Sequence, residues 1–352
     1  VDVVLHSILS FDLFLLYAES GLGKTSLLNA GVASRLRERG LWPVSVRLND
    51  PGRTPVEQIC EQIVAAAASD PDVELVDAAR LIDGDESDSS LWNALSALEV
   101  WRGNELQKLV VILDQFEEIF TLGWEAERQQ QFFAEFGEVV RRHRDGSAWS
   151  SVPAPDVKFV IVIREDALGE LEALSTDVPQ IMRHRVRLGP LGPEQAAIAI
   201  REPATIDDSS IDSVPFEFSD EAVEEIIEFL RTQNVRGSTV RSAAVDPSQL
   251  QIICQYVERV IGPSKSTDGG GPVRIERADL GGRAGLDRVL SEFYRRTIDG
   301  FEEDRQGPLR ELCETGLIND NQRRLSRELD EIAAIYGVEQ SELEALVDAR
   351  LL

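Results

Sequence analysis

The sequence predicts an α/β domain built on a parallel sheet, followed by smaller, mainly helical modules. Three observations lead there. Short apolar runs alternate with helix-spaced patterns over the first half of the chain, a glycine-rich turn joins the first run to the first long helix pattern, and runs of strand type cease after "GPLGP", Gly189 to Pro193. Continuous apolar runs bounded by turn formers suit strands buried on both faces, and helices between them provide the crossovers that parallel pairing needs.

In chain order, the strands expected are Leu13 to Tyr17, Val44 to Leu48, Leu109 to Leu113 and Phe159 to Ile163, with a fifth at Arg185 to Leu188. Ser26 to Arg37, Val56 to Ala67, Leu91 to Trp101 and Glu125 to Arg142 carry helical spacing between them. Beyond the glycine and proline break, Glu194 to Arg201, Ser219 to Arg231 and Ser248 to Val260 repeat apolar residues at helical intervals, which predicts a small all-helical domain. "GPSKSTDGGGPV", Gly262 to Val273, has linker composition. The final stretch is helical again, with Ser326 as an N-cap, Gly337 as a break and a second amphipathic helix from Ser341, the cadence of a winged helix. The expected organisation is therefore a core over residues 1–188, a helical lid over 189–262, a flexible linker over 263–285 and a winged-helix domain over 286–352, cut short at its end.

The turn "AESGLGKTS" carries the chemistry. Gly21 and Gly23 allow the backbone to wrap N–H groups around an anion, Lys24 reaches toward β and γ phosphates, and the Thr25 hydroxyl takes a Mg²⁺ position, with the helix from Ser26 turning its positive end to the same place. Glu19, Ser20 and Leu22 complete the loop. The usual pattern has glycine where this chain has Ala18, but a methyl group fits at a strand exit with ordinary φ/ψ angles. The chain holds four lysines, Lys24, Lys108, Lys158 and Lys265, against 32 arginines, so a lysine in this slot argues for selection. The bland alternative is a glycine-rich turn capped by Ser20.

"LVVILDQFEEIF" sets Asp114 at the carboxyl end of a strand, where open α/β sheets bind ligands and where a carboxylate holds Mg²⁺. Glu117 or Glu118 is the candidate base that orients the attacking water, with Glu117 preferred because a spacing of three returns its side chain to the strand-end face; a solvated first helical turn is the plain alternative. "FVIVIRED" ends with Arg164, placed to contact a γ-phosphate or to form a salt bridge with Glu165 or Asp166.

Composition narrows the field. With 63 acidic and 36 basic residues, the net charge of -27 argues against nucleic acid as a partner. Cys60, Cys254 and Cys313 lie far apart without metal-ligand spacing, so they read as semi-buried thiols of a reducing compartment. No apolar run reaches the roughly 20 residues of a membrane span, and no signal-type segment opens the chain, so a cytoplasmic protein is expected. Because residue 1 is Val, the chain reads as a segment of a longer protein.

Taken in order, "ESGLGKTSLLNAG", "VVILDQFEEIF", "VIVIREDALGEL", "RVRLGPLGPEQAAIAIREPA" and "VDPSQLQIICQYV" resemble the STAND ATPases, signal-transduction ATPases with numerous domains, and above all their bacterial novel STAND branch, often linked to antiviral defence. The likeness runs from about Leu13 to Leu352. It implies an AAA+-like P-loop NTPase core of strand order 5-1-4-3-2, a helical lid and a winged helix, in which ATP binding switches a closed monomer to an open oligomer. It carries the phosphate role to Gly21, Gly23, Lys24 and Thr25, the Mg²⁺ role to Asp114, a sensor role to Arg164 and an adenine-packing role to Pro247; Pro247 also reads plainly as a helix-start proline after Asp246. The chain departs from the family in three places. Gln115 stands where many members have glutamate, "VDVVLHSILSFDL" lacks the upstream Gly-Arg pair, and the phosphate-sensing histidine after the winged helix falls beyond Leu352. His6, His143 and His184 do not fill that role, and His184 reads as an interface or surface residue.

The implied function is an ATP- or ADP-bound signalling switch with slow hydrolysis, self-association on activation, and a protein trigger and effector outside this chain. Two alternatives stand beside it. A DNA-handling ATPase would use the winged helix, although Asp287 to Arg350 hold sixteen acidic and nine basic residues. An inert nucleotide-binding scaffold is the other, and Gln115 keeps it open.

Overall fold

Successive buried side chains along three strands fall into two different cores, which shows how the sheet is held. In strand β1 (Leu13–Ala18), Phe14 and Leu16 face one core and Leu15 the other. The same division sets Val110 and Ile112 against Val111 and Leu113, and Val160 and Val162 against Phe159, Ile161 and Ile163. Successive strand side chains point to opposite faces, so a sheet covered on both sides demands the continuous apolar runs seen in the sequence.

The computed structural model describes residues 1–77, 90–96, 98–144, 153–205, 215–235, 238–262, 273–317, 325, 327, 329–349 and 351. The chain divides into two units, Val1–Gly189 and Pro190–Leu352. The first contains β1, β2 (Leu41–Val46), β3 (Val73–Val76), β4 (Glu99–Arg102), β5 (Glu105–Leu113), β6 (Val157–Arg164) and β7 (Arg185–Arg187) in one seven-stranded sheet. Its parallel part runs β2-β5-β6-β1-β7, which is the order 5-1-4-3-2 when only those five strands are numbered.

One face is covered by the helix Asp2–Ser10 and the helical run that follows the glycine-rich turn, which passes through a wide π-type segment at Leu27–Val32. The other is covered by the helices Pro55–Ala68, Leu91–Ser96 and Ala126–Arg141. Thr54 caps the first of these in a reciprocal capping box with Glu57, which fixes its start. Pro43 lies within β2 without breaking the sheet, because β2 has only β5 as a sheet neighbour among the described residues and proline is tolerated at an edge.

Three expectations need correction. The helix expected over Leu91 to Trp101 ends at Ser96, and Glu99–Arg102 forms β4, paired antiparallel with β3 and with the first part of β5. The hairpin turn at Gly103, with φ 59°, draws Val100 and Trp101 into the sheet extension. Strands also do not cease after Gly189. β8 (Phe216–Phe218) pairs parallel with β11 (Val273–Ile275), and β9 (Thr232–Val235) pairs antiparallel with β10 (Ser238–Arg241), so the region expected to be all-helical is mixed. Finally, the stretch expected as a linker over 263–285 includes β11, a 3₁₀ turn at Arg277–Leu280 and the start of the helix Gly282–Asp299. Only 263–272 of it lies outside the described residues.

The second unit holds two apolar clusters. One gathers the helices Pro193–Ala204, Asp220–Arg231 and Pro247–Tyr256 with Leu286 and Val289. The other joins Ile298, Leu309 and Leu312 to Ile332 and Leu346 of the helices Leu329–Tyr336 and Gln340–Asp348 and to Val338 between them. Gly337, at φ 64°, separates those two helices as expected, while Ser326 lies outside the described residues. Cys60, Cys254 and Cys313 are free, and burial pushes the first two thiols up to about 12 and the third to about 11. No described helix is long and apolar enough to cross a membrane.

Phe136 is fully buried and meets the Phe159 ring edge-on at 4.9 Å, which makes it a joint between helix and sheet. Phe136→Ala is expected to destabilise the first unit by about 3–5 kcal/mol, read as a lower urea midpoint at unchanged slope.

Candidate functional site

The parallel strands β1, β5 and β6 place three chain exits along one sheet edge. Ala18 ends β1, opposite Arg164 at the end of β6, and is wholly buried. Its backbone is that of a strand, so the methyl group in place of glycine meets no conformational penalty. The left-handed angles fall instead on Gly21, at φ 79°, and Gly23, at φ 78°, where glycine is the residue that adopts them without strain.

Lys24 begins the helix after this loop. Its Nζ donates to the carbonyls of Ala18 at 3.1 Å and Glu19 at 3.3 Å, so the ammonium returns to the start of its own loop. Half-burial lowers its pKa, and the carboxylates of Glu117 and Asp114 oppose that shift. The next residue ties the loop to the sheet. Thr25 Oγ1 donates to Asp114 Oδ2 at 2.7 Å across 89 positions of sequence. Asp114 is buried, and its other carboxylate oxygen accepts from the Gln115 amide at 3.0 Å. A hydroxyl and a carboxylate side by side are hard oxygen donors, a set that fits Mg²⁺, with the remaining positions left to nucleotide oxygens and water.

Past Asp114 the chain turns sharply, with Gln115 at φ 54°. That turn sends the two following glutamates to different neighbours. Glu117 is 9 % exposed, and its Oε2 accepts the backbone N–H of Arg164 at 3.2 Å. Burial raises its pKa, while hydrogen bonds from backbone amides and the charges of Lys24 and Arg164 oppose the rise. Glu118 instead pairs with Arg47, which lies one residue past β2 and also donates to the Gln115 side chain. Burial raises the Glu118 pKa as well, against the pull of Arg47. Arg47 Nε and Glu118 Oε2 are buried with no hydrogen-bond partner among the described residues, so this pair is incompletely satisfied.

Arg47 was not singled out by the sequence. It has no motif around it, and its partners stand about 70 positions away, so the one available signal was a charged residue inside the apolar run expected as the strand Val44 to Leu48. The guanidinium of Arg164 meets Asp166, with Nε to Oδ1 at 3.0 Å, the ion pair that the sequence offered as its plain alternative. Glu165 instead forms a two-point pair with Arg187, which also lies 3.6 Å from Glu19. Ser20 and Ser26 are exposed on the loop and first helical turn, and Leu22 is partly buried. Pro247 belongs to the second unit. It occupies the first turn of its helix after Asp246, whose carboxylate accepts from the Ser248 and Gln249 amides at 2.8 and 3.2 Å. His184 stacks on Phe11 with ring centroids 3.6 Å apart.

A carboxyl group whose folded pKa is raised above 4.5 favours the folded state below that value and loses that contribution as pH rises through the raised value. Glu117→Gln keeps an oxygen for the Arg164 amide and removes the buried charge. The nucleotide-free variant is expected to melt above the wild type at neutral pH, with the gap closing as pH falls through the raised value toward 4.5 and absent below it, as read by thermal unfolding across pH.

The family described as novel STAND NTPase 1 matches residues 1–352. No curated protein matches. Among solved structures, the ADP form of the Aeropyrum pernix ORC2 protein is 14% identical, with 99% of this chain and 83% of that chain covered and a TM-score of 0.44. AMPPCP-bound DnaA from Aquifex aeolicus is 11% identical, with 99% and 82% covered and a TM-score of 0.39. The Walker-type ATPase PABY2304 of Pyrococcus abyssi is 14% identical, with 99% and 86% covered and a TM-score of 0.38. With a family match over its full length and a mostly parallel sheet beneath its glycine-rich loop, the chain belongs to the novel STAND NTPase 1 family.

Proposed function

We propose that this NTPase module binds ATP, with Mg²⁺, at the loop from Glu19 to Ser26, hydrolyses it slowly, and uses nucleotide occupancy to switch between a closed monomer and a self-associating state. The observation that carries the reading is the hydrogen bond between Thr25 and Asp114, which joins the glycine-rich loop to the acidic end of β5 beside Lys24. Backbone amides of the loop and the helix start would bind the phosphates. Lys24 would leave the Ala18 and Glu19 carbonyls for the phosphate oxygens, a stronger charge-assisted interaction than a carbonyl offers. Thr25 and Asp114 would hold Mg²⁺, which would supply charge neutralisation for the phosphates.

Glu117 is the general base in this reading. It is close enough in charge to Lys24 to feel it, and its raised pKa moves it toward the range in which a carboxylate removes a proton efficiently. Glu118 is held by Arg47 and serves as a brace for the turn. Arg164 would exchange Asp166 for the γ-phosphate and so distinguish triphosphate from diphosphate. Pro247 is assigned to adenine packing by the family pattern. Nucleotide occupancy would bias one conformation of the module by its differential affinity. In a larger bacterial protein such a bias would relay a trigger to an effector, in signalling or defence, with the terminal helices acting as a winged-helix module.

Calorimetry with ATP and Mg²⁺ tests the site. Lys24→Ala is expected to weaken binding by about 10- to 150-fold, the loss of roughly 1.5–3 kcal/mol from a charged hydrogen-bond donor; unchanged affinity would refute it. In a turnover assay, Glu117→Gln is expected to slow hydrolysis by about 10²–10⁴-fold with ATP affinity retained, and Glu118→Gln by much less. The reverse order would exchange the two roles.

A further inference from the structure

Arg47 is anchored by its backbone before its side chain reaches anything. Strand β2 ends at Val46, whose carbonyl accepts the Asp114 amide at 2.9 Å, so β2 stays in register with β5 up to the acidic turn. Past that point, two glutamines one turn apart on the helix Pro55–Ala68 take the place of a neighbouring strand. Gln62 accepts from the Arg47 amide at 2.9 Å and donates to its carbonyl at 2.8 Å, and Gln58 does the same for Asp50 at 3.1 and 2.9 Å. A primary amide carries an acceptor and donors together, so it satisfies both groups of an edge peptide unit. Gln58 is itself buried, which makes this clamp part of the core.

From that fixed root the guanidinium crosses the end of the sheet to the turn after Asp114. One nitrogen, Nη2, donates to the side-chain oxygens of both Gln115 and Glu118. Gln115 is the residue at φ 54°, a conformation that side chains with a Cβ adopt at a cost, so Arg47 braces the turn where it is least favourable. Three carboxylates, Asp114, Glu117 and Glu118, stand within five positions there. The Lys24 ammonium acts on the first two, while Glu118 is paired with Arg47 and feels the Asp114 charge as a repulsion. Glu118 Oε2 has no hydrogen-bond partner among the described residues, so nothing described takes over if Arg47 is lost.

We infer that Arg47 is a positioning residue for ATP hydrolysis: by clamping Gln115 and Glu118 it fixes the turn that presents Glu117 to the attacking water. The inference rests on the proposed hydrolysis at this site and deepens it. Arg47 touches neither nucleotide nor metal in this role. Its charge compensates Glu118, and a buried carboxylate left without its cation is driven toward water. Glu117 is the next residue in the chain, so a shift of Glu118 moves the base with it. A misplacement of about 1 Å in a reacting group costs on the order of 10²-fold in rate, and substrate binding elsewhere in the site is spared.

The test is steady-state ATP turnover of the full chain with Mg²⁺, beside calorimetry with ATP and Mg²⁺ and thermal melts to verify folding. Arg47→Met keeps the apolar stem and removes the guanidinium. It is expected to lower kcat about 10- to 100-fold while the Kd for ATP stays within roughly threefold of the wild type. Arg47→Met/Glu118→Gln is expected to regain most of that turnover, because an amide at 118 needs no compensating cation; two independent lesions would add instead. Should Arg47→Met lower the melting temperature, Arg47→Lys keeps a cation at the site and is expected to turn over ATP at a rate between those of Arg47→Met and the wild type. Full turnover in Arg47→Met, or a loss that Glu118→Gln does not relieve, overturns the positioning role and leaves hydrolysis standing. A loss of ATP affinity as large as the loss of turnover also overturns it, and puts Arg47 on the nucleotide. A wild type that binds ATP without any turnover overturns both.

Discussion

The short hydrogen bond from the Thr25 hydroxyl to the Asp114 carboxylate is the contact on which the rest of the site depends. It joins the first helical turn after β1 to the exit of β5, two strands that are not neighbours but lie on either side of β6. The backbone N–H groups of the loop are oriented by two left-handed glycines, and the acidic sheet edge is fixed by parallel register. Without this link, the loop would be a turn with an anion-binding tendency and the aspartate an isolated buried carboxylate. With it, hydroxyl and carboxylate form one hydrogen-bonded pair, and the Asp114 charge acts on the Lys24 ammonium.

The same edge shows how one fold keeps neighbouring carboxylates apart. Glu117 and Glu118 are consecutive, and both resist ionisation because they are buried. The turn at Gln115 directs one toward Lys24 and the Arg164 amide and the other toward Arg47. Arg47 Nε and Glu118 Oε2, without a hydrogen-bond partner among the described residues, carry an energetic cost at that point. Buried charges whose partners are incomplete are weak contributors to stability, and their concentration at one sheet edge fits a place organised for chemistry.

Charge organises the second unit differently. Its apolar clusters are assembled from amphipathic helices, with strands too short to form a core of their own. Ion pairs then neutralise many of its surface guanidiniums in a chain of net charge -27. Exposed ion pairs are individually weak, so burial in the two apolar clusters contributes more to this unit's stability than they do.

Much of the candidate site's frame was legible from the sequence because its signals are local. Leu13–Ala18, Val157–Arg164 and the run before Asp114 announce themselves as strands buried on both faces, and "SGLGKTS" states its backbone demands in its glycines. Even the strand order followed from the likeness carried by successive motifs. The misses have a common cause. Phe216–Phe218 and Val273–Ile275 are three residues each, too short for any periodicity, and Glu99–Arg102 continues the apolar spacing of the helix before it. Those strands exist because distant segments pair with them. Arg47 belongs to the same class, because its partners Gln115 and Glu118 are distant in sequence. Local sequence determined which groups were present and which backbone shapes were allowed; register and burial, which bring together residues tens of positions apart, decided which carboxylate met which cation.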